Sequence, residues 1–276
     1  MSVVDSKVAL VALQGLRQAN TDLNKSAERL ATGKRINQAG DDPAGIGKAS
    51  ILKAEIGSFY QVKRNITGAL SDLSKVGDSL STIMDYLVEM RTISLAAASE
   101  QDDTARAAYG TQYAELVTGL NSVASNTKIG DTAVLSSASS VTATVQIGIA
   151  QGNTKSLTFS AASTATQLGV ASIDVSSADD AAANISLLDT AMETVSGSLA
   201  KVGGYQSALE GSLDLADSNI IAKSSQFGTI MDADLALEAT NMAAARIRQD
   251  SATAVLAQAN SMNRTIADYL LNGAIG

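Results

Sequence analysis

The sequence predicts a mainly α fold: a long antiparallel helical rod with terminal coiled-coil helices and a small β-hairpin insertion. Three observations carry this. Apolar residues recur in alternating three- and four-residue steps through most of the 276 positions, the signature of helices packed along a seam. The chain is 45% hydrophobic but only 3% aromatic and holds one proline, so its apolar content is Ala, Leu, Val and Ile, suited to packed helices. A single region, residues 131–175, changes to a period of two.

The first helix places Leu13 and Leu16, Asn20 and Leu23, Ala27 and Leu30 on an a/d seam. It stops in "RLATGKRINQAGDDPAG", residues 29–45. Gly33 suits the left-handed residue after a helix end, and Lys34 and Arg35 suit the negative end of the helix dipole. Asp42 followed by Pro43 reads as an N-cap with proline in the first helical position. The stretch is a joint between two helices.

The second helix carries Ile66, Leu70, Leu73, Leu80, Met84 and Leu87, widened by Val76, Ile83 and Met90, so it touches more than one neighbour. A third opens at "DDTARAAY", acidic at its N-terminus, and continues through Tyr109, Tyr113, Leu116, Leu120 and Val123. Then Val141, Ala143, Val145, Ile147 and Ile149 alternate, "QGNTK" turns, and Leu157 and Phe159 alternate again, which predicts a hairpin. "LGVASIDV" predicts a further short strand before Ser176 or Ser177 caps the next helix. That helix steps without a miss from Ile185 through Leu188, Met192, Val195, Leu199, Val202, Gln206, Leu209, Leu213 and Ala216 to Ile220. The last helix shows Ala252, Val255, Ala259, Met262, Ile266 and Tyr269.

The same letters exclude several functions. A net charge of -8 disfavours phosphate backbones and anionic membranes, so no nucleic-acid and no membrane partner is expected. There is no cysteine and no histidine, which removes thiol chemistry and the usual neutral-pH base. Gly33-Lys34 is followed by Arg35 and preceded by a helical heptad, so it is no phosphate loop. Asp41 and Asp42 lack alternating calcium ligands, and Asp232, Asp234 and Glu238 read as caps and dipole partners. No Gly-x-Ser-x-Gly elbow occurs. No catalytic residue, metal or cofactor is expected, and the chain is read as not an enzyme. The N-terminus has no basic stretch ahead of its apolar run, so no cleaved signal is expected.

Six segments, in order, resemble bacterial flagellin. "RLATGKRINQAGDDPAG" is similar to the family's R-L-S-T-G-K-R-I-N-S-A-x-D-D-P-A-G. "NTKIGDTAVL", "ATVQIGIAQGNTKSLTF" and "ISLLDTAMETVSGSLAKVGGYQSALE" follow its middle motifs, and "IMDADLALEATNM" and "AVLAQAN" its C-terminal ones. The resemblance implies a structural subunit that self-assembles into the extracellular flagellar filament for motility, with little room for the family's large variable middle domains. It implies a helical homopolymer as partner, with export apparatus, chaperone, filament cap and hook-junction proteins besides. It also implies segments 1–40 and 232–276 as coiled-coil parts of the filament core, around a rod of 41–231 with its hairpin near 140–160.

On this reading Leu13, Leu16, Leu23, Leu30, Ala252, Val255, Ala259, Met262 and Ile266 form the self-assembly seams. Gly33, Arg35, Asn37, Asp41, Asp42 and Pro43 form hinge and subunit contacts. Isolated heptad helices are marginal in water, so the terminal segments are expected to fold on assembly. The ending "TIADYLLNGAIG" is closer to the hook–filament junction protein, the alternative within the same superfamily.

Overall fold

A computed structural model describes residues 3–160, 163–172, 175 and 177–273, with only the backbone described at 3–6, 263 and 266–273. In chain order it has α1 (Val3–Thr32), α2 (Pro43–Ser99), α3 (Asp103–Asn126), β1 (Lys128–Ile129), β2 (Thr132–Ala133), β3 (Val141–Gln146), β4 (Thr154–Phe159), α4 (Ala178–Met231) and α5 (Leu235–Gly273). The mainly helical prediction is met, with a helix over each of the seams traced in the sequence. The chain divides into two packing units, Met1–Ala54 with Ala222–Gly276, and Glu55–Ile221.

In the middle unit the heptads pack one core. Phe59, Ile66, Leu73, Leu80 and Leu87 of α2 recur every seventh residue and are all buried. So are Ala181, Leu188, Val195, Val202, Leu209 and Ala216 of α4. A strict seven-residue repeat keeps one stripe facing its partner along a whole helix. Lys63 pairs with Asp217 at 2.7 Å and Arg91 with Asp189 at 2.7 Å, which makes α2 and α4 antiparallel. Helix α3 adds Tyr113, Leu120 and Ala124.

Helix ends in this unit are satisfied by side chains. Asp102 caps α3 by accepting the Thr104 amide at 2.8 Å, and Ser177 caps α4 by accepting the Asp180 amide at 3.1 Å. Ser176, the other expected cap, lies outside the described residues. Buried Arg106 donates to the Ala97 and Glu100 carbonyls at the end of α2, satisfying orphan acceptors there.

The hairpin pairs Val141 with Phe159 through Gln146 with Thr154, antiparallel. Leu157 and Phe159 are buried against the helices, and the Tyr205 hydroxyl accepts from the Thr158 amide and donates to its carbonyl, both at 3.2 Å. The predicted alternation through Ile149 ends early. Gln146 turns its side-chain amide onto the Gly148 and Ala150 carbonyls, and Ile147 donates to the Asn153 carbonyl, so the chain reverses before Ile149, which is exposed. The strand expected in 168–175 is likewise absent among the described residues there. Leu168 and Val170 donate back to Thr164 and Ala165, and Gly169 sits at φ 75°, giving turns whose buried Val170 carbonyl accepts from Tyr113. Residues 173 and 174 of that segment lie outside the described residues. The small β1–β2 hairpin was not anticipated; Gly130 at φ 58° makes its tight turn.

Candidate assembly surface

In the terminal unit α1 packs against α5 along its length. Gln249 donates to Asn20 at 2.7 Å, Arg248 pairs with Asp22 at 3.0 Å, and Arg29 with Glu238 at 2.8 Å, an antiparallel alignment. The innermost residues are small. Ala12, Ala19 and Ser26 on α1 are buried, as are Ala245 and Ala259 on α5, with Ala252 half-buried. Between them Leu16, Leu23 and Leu30 on α1, and Met242 and Leu256 on α5, are half-buried. Small residues every seventh position let two backbones approach closely while the longer side chains flank them.

Two helices leave most of each helix surface uncovered, and here much of that surface is apolar. Val8, Leu10, Val11, Leu13, Leu235, Leu237, Ile247, Val255 and Met262 are all exposed, with Val11 at 69% and Val255 at 46%. A groove of about 440 Å³ runs between the helices, walled by Val8, Val11, Gly15 and Val255 with Lys7 at its rim. It continues beside Gln258, Ala259 and Met262. The apolar side chains that line this groove form an exposed surface of the kind that marks an interaction site.

Of the seam residues expected from the sequence, Leu16, Leu23, Leu30, Ala252 and Ala259 are buried or half-buried in the α1–α5 unit, whereas Val255 and Met262 line the exposed groove and Leu13 is exposed outside it. The Ile266 side chain lies outside the described residues. The sequence seam takes Leu13, Asn20 and Ala27 where Ala12, Ala19 and Ser26 are the buried residues, and Val255 where Leu256 is half-buried, a one-residue shift of one column on each helix; Ala252 and Ala259 are in phase.

The joint expected at residues 33–43 folds against the α4–α5 connection. Gly33, at φ 68°, donates to the Arg29 carbonyl at 2.9 Å and accepts from the Ala233 amide at 2.9 Å. Arg35 donates its amide to the Met231 carbonyl at 2.7 Å and its guanidinium to the Ile230 carbonyl at 2.8 Å, so it closes the end of α4. Asn37 donates to Asp41 and, through its side chain, to the Lys34 carbonyl. Lys25 pairs with Asp41 at 2.8 Å, and that bond, with the Asn37 and Gln38 amides, lowers the Asp41 carboxyl to about 2. Burial would raise the Glu238 carboxyl, but bonds from Arg29, Ser26 and Asn241 outweigh it and hold it below its ordinary value. Asp234 caps α5 by accepting the Ala236 and Leu237 amides.

Asp42 caps α2 as predicted, accepting the Gly45 amide at 2.8 Å with Pro43 in the first turn. Ile36, 1% exposed, is buried with Ala49 and Met231 beneath this turn. A Cβ on Gly45 would enter the Asp42 carboxylate and stand 2.8 Å from Ile36 Cδ1, whereas one on Gly47 would meet nothing within 4 Å. Gly45→Ala is therefore expected to weaken the joint by about 2 kcal/mol, from the disturbed cap and overpacking. Hydrogen exchange at the 45 and 46 amides checks this: it should rise roughly thirtyfold. Gly47→Ala should slow it or leave it unchanged.

Family models match both helical parts of the chain. The family model for the bacterial flagellin N-terminal helical region matches residues 4–140, and that for the C-terminal helical region matches residues 185–270. A flagellin of Halalkalibacterium halodurans is 26% identical over 269 residues, covering 95% of this chain and 97% of its own. A flagellar filament core protein of Brachyspira hyodysenteriae is 28% identical over 274 residues, covering 93% and 95%. A structure titled as a putative flagellar hook-associated protein from Vibrio parahaemolyticus shares the fold at TM-score 0.60 and 17% identity, over 70% of this chain and all of that one. With both helical regions matched, and with relatives aligned almost end to end, the chain belongs to the bacterial flagellin family.

Proposed function

We propose that the chain is a structural subunit that polymerises into a flagellar filament through the exposed face of its α1–α5 pair. The observation that carries the reading is that surface itself: apolar residues left exposed on both terminal helices, which pack against each other. Burying a single Val or Leu contributes about 1.5–3 kcal/mol, so a handful at each subunit contact suffices for stable assembly. Copies that join head to tail by a rotation that does not close form an open helical array.

The remaining parts of the reading follow from this one. Segments 1–40 and 232–276 order as subunits join, and apolar burial between subunits offsets the entropy lost in that ordering. Leu13, Val255 and Met262 contact neighbouring copies, and the residues from Gly33 to Pro43 hold the joint at which the terminal segments meet the rest of the subunit. A chaperone covers the apolar face before export, and the export apparatus passes the chain outward. The filament is extracellular, bounded by hook-junction proteins and a cap. No step in this role requires catalysis.

Purified chain added to short filament seeds and viewed by negative-stain microscopy tests the proposal. Elongation of the seeds is the expected result. A chain that binds one seed end and never lengthens it is instead the hook–filament junction protein.

A further inference from the structure

We propose that the polar pairs between α1 and α5 are a register lock that selects the one helix alignment competent for assembly. The proposal rests on the reading that the outer α1–α5 face docks further copies. The apolar seam cannot select an alignment by itself. Ala12, Ala19 and Ser26 recur every seventh residue, and so do Ala245, Ala252 and Ala259. Sliding one helix by a heptad superposes each of these small residues on the next, so this column alone does not distinguish the two alignments. What opposes the slip is the polar pairs, together with the Gly33–Ala233 and Arg35–Met231 backbone bonds at the helix ends.

The polar pairs do not repeat in this way. Seven residues from Glu238 stand Met231 and Ala245, so a slipped Arg29 loses its carboxylate. Seven from Arg248 stand Asn241 and Val255, and seven from Gln249 stand Met242 and Leu256, so Asp22 loses its cation and Asn20 its amide donor. Glu238 is 5% exposed, and a buried carboxylate without its cation is strongly disfavoured. A slip also moves Val8 and Val11 about 10 Å along the helix from Val255 and Met262, breaking up the continuous outer face. Polar contacts within an otherwise permissive seam are a known means of fixing register.

The chain contains no cysteine, so engineered pairs report the alignment directly. Leu23→Cys with Ala245→Cys reports the observed register, and Leu23→Cys with Ala252→Cys reports a one-heptad slip. Both are oxidised in the full-length chain with seeds present, and the intramolecular link is read on a non-reducing gel. With the polar pairs intact, only the first pair should link. With Asn20→Ala, Asp22→Ala, Arg29→Leu and Glu238→Leu combined, the slipped pair should gain at least about tenfold in yield relative to the native pair. Native links alone in that variant overturn the lock.

Should the fourfold variant fail to fold, Arg29→Glu and its rescue by Glu238→Arg decide the matter. The single change should raise the slipped link and the exchange should restore the native one; no change in either overturns the proposal. Polymerisation is scored separately by pelleting. Native links in a chain that never forms filaments contradict the assembly reading and leave the lock standing.

Discussion

Val255→Asp combined with Met262→Asp is expected to abolish filament growth while leaving the middle unit folded. Both residues are about half exposed, so the substitutions disturb little inside one chain. At a subunit contact each removes about 1.5–3 kcal/mol of apolar burial and strands a carboxylate away from water. The summed cost exceeds about 5 kcal/mol, which raises the critical concentration by more than roughly a thousandfold. Pelleting of seeded reactions measures it, with circular dichroism to confirm that the middle helices persist. Leu16→Asp should also stop growth, by a different route: Leu16 is half-buried in the α1–α5 pairing, so that variant separates the helices themselves. Filaments of ordinary length from the Val255 and Met262 variant would show that this face is not the contact.

The second large effect is expected in the middle unit, at neighbouring positions of one helix. Leu87 is fully buried in the α2 heptad, whereas Val88 is 51% exposed. Leu87→Ala removes buried methylenes and leaves a cavity, a loss of about 3–4 kcal/mol. For a unit of this size that lowers the melting temperature by roughly 6–15 °C. Val88→Ala should change stability by less than about 0.5 kcal/mol. Thermal denaturation followed at helical wavelengths separates the two, and equal shifts would contradict the packing of α2.

Where the core is made of large side chains, the seams were legible in the sequence. Every residue in the predicted stripe from Ile185 to Ile220 is buried or half-buried, because α4 packs one continuous face with Leu, Val and Ile. The joint was legible for a different reason: Gly33 and the Asp42-Pro43 pair have local backbone requirements that need no tertiary partner. What stayed hidden was tertiary. Arg35 closing the end of α4 and Arg29 meeting Glu238 join positions about two hundred residues apart, which no local pattern encodes. One column of the α1 seam was hidden too, since Ala12, Ala19 and Ser26 carry little hydrophobic signal yet are buried, whereas Ala252 and Ala259 were legible. Taking Val255 and Met262 as seam residues located apolar side chains that face outward from the pair instead. The strand beyond Gln146 was overread because Ile147 and Ile149 continue the alternation while side-chain bonds from Gln146 turn the chain.

The central claim is that the outer face of α1 and α5 is where copies of this chain meet. Electron cryomicroscopy of filaments grown from the purified chain tests it most directly. The account predicts Val8, Val11, Val255 and Met262 buried between neighbouring subunits, with Arg29 still paired to Glu238 within each one. Filaments in which those four residues face solvent, with all contacts made by residues 55–221, would contradict it.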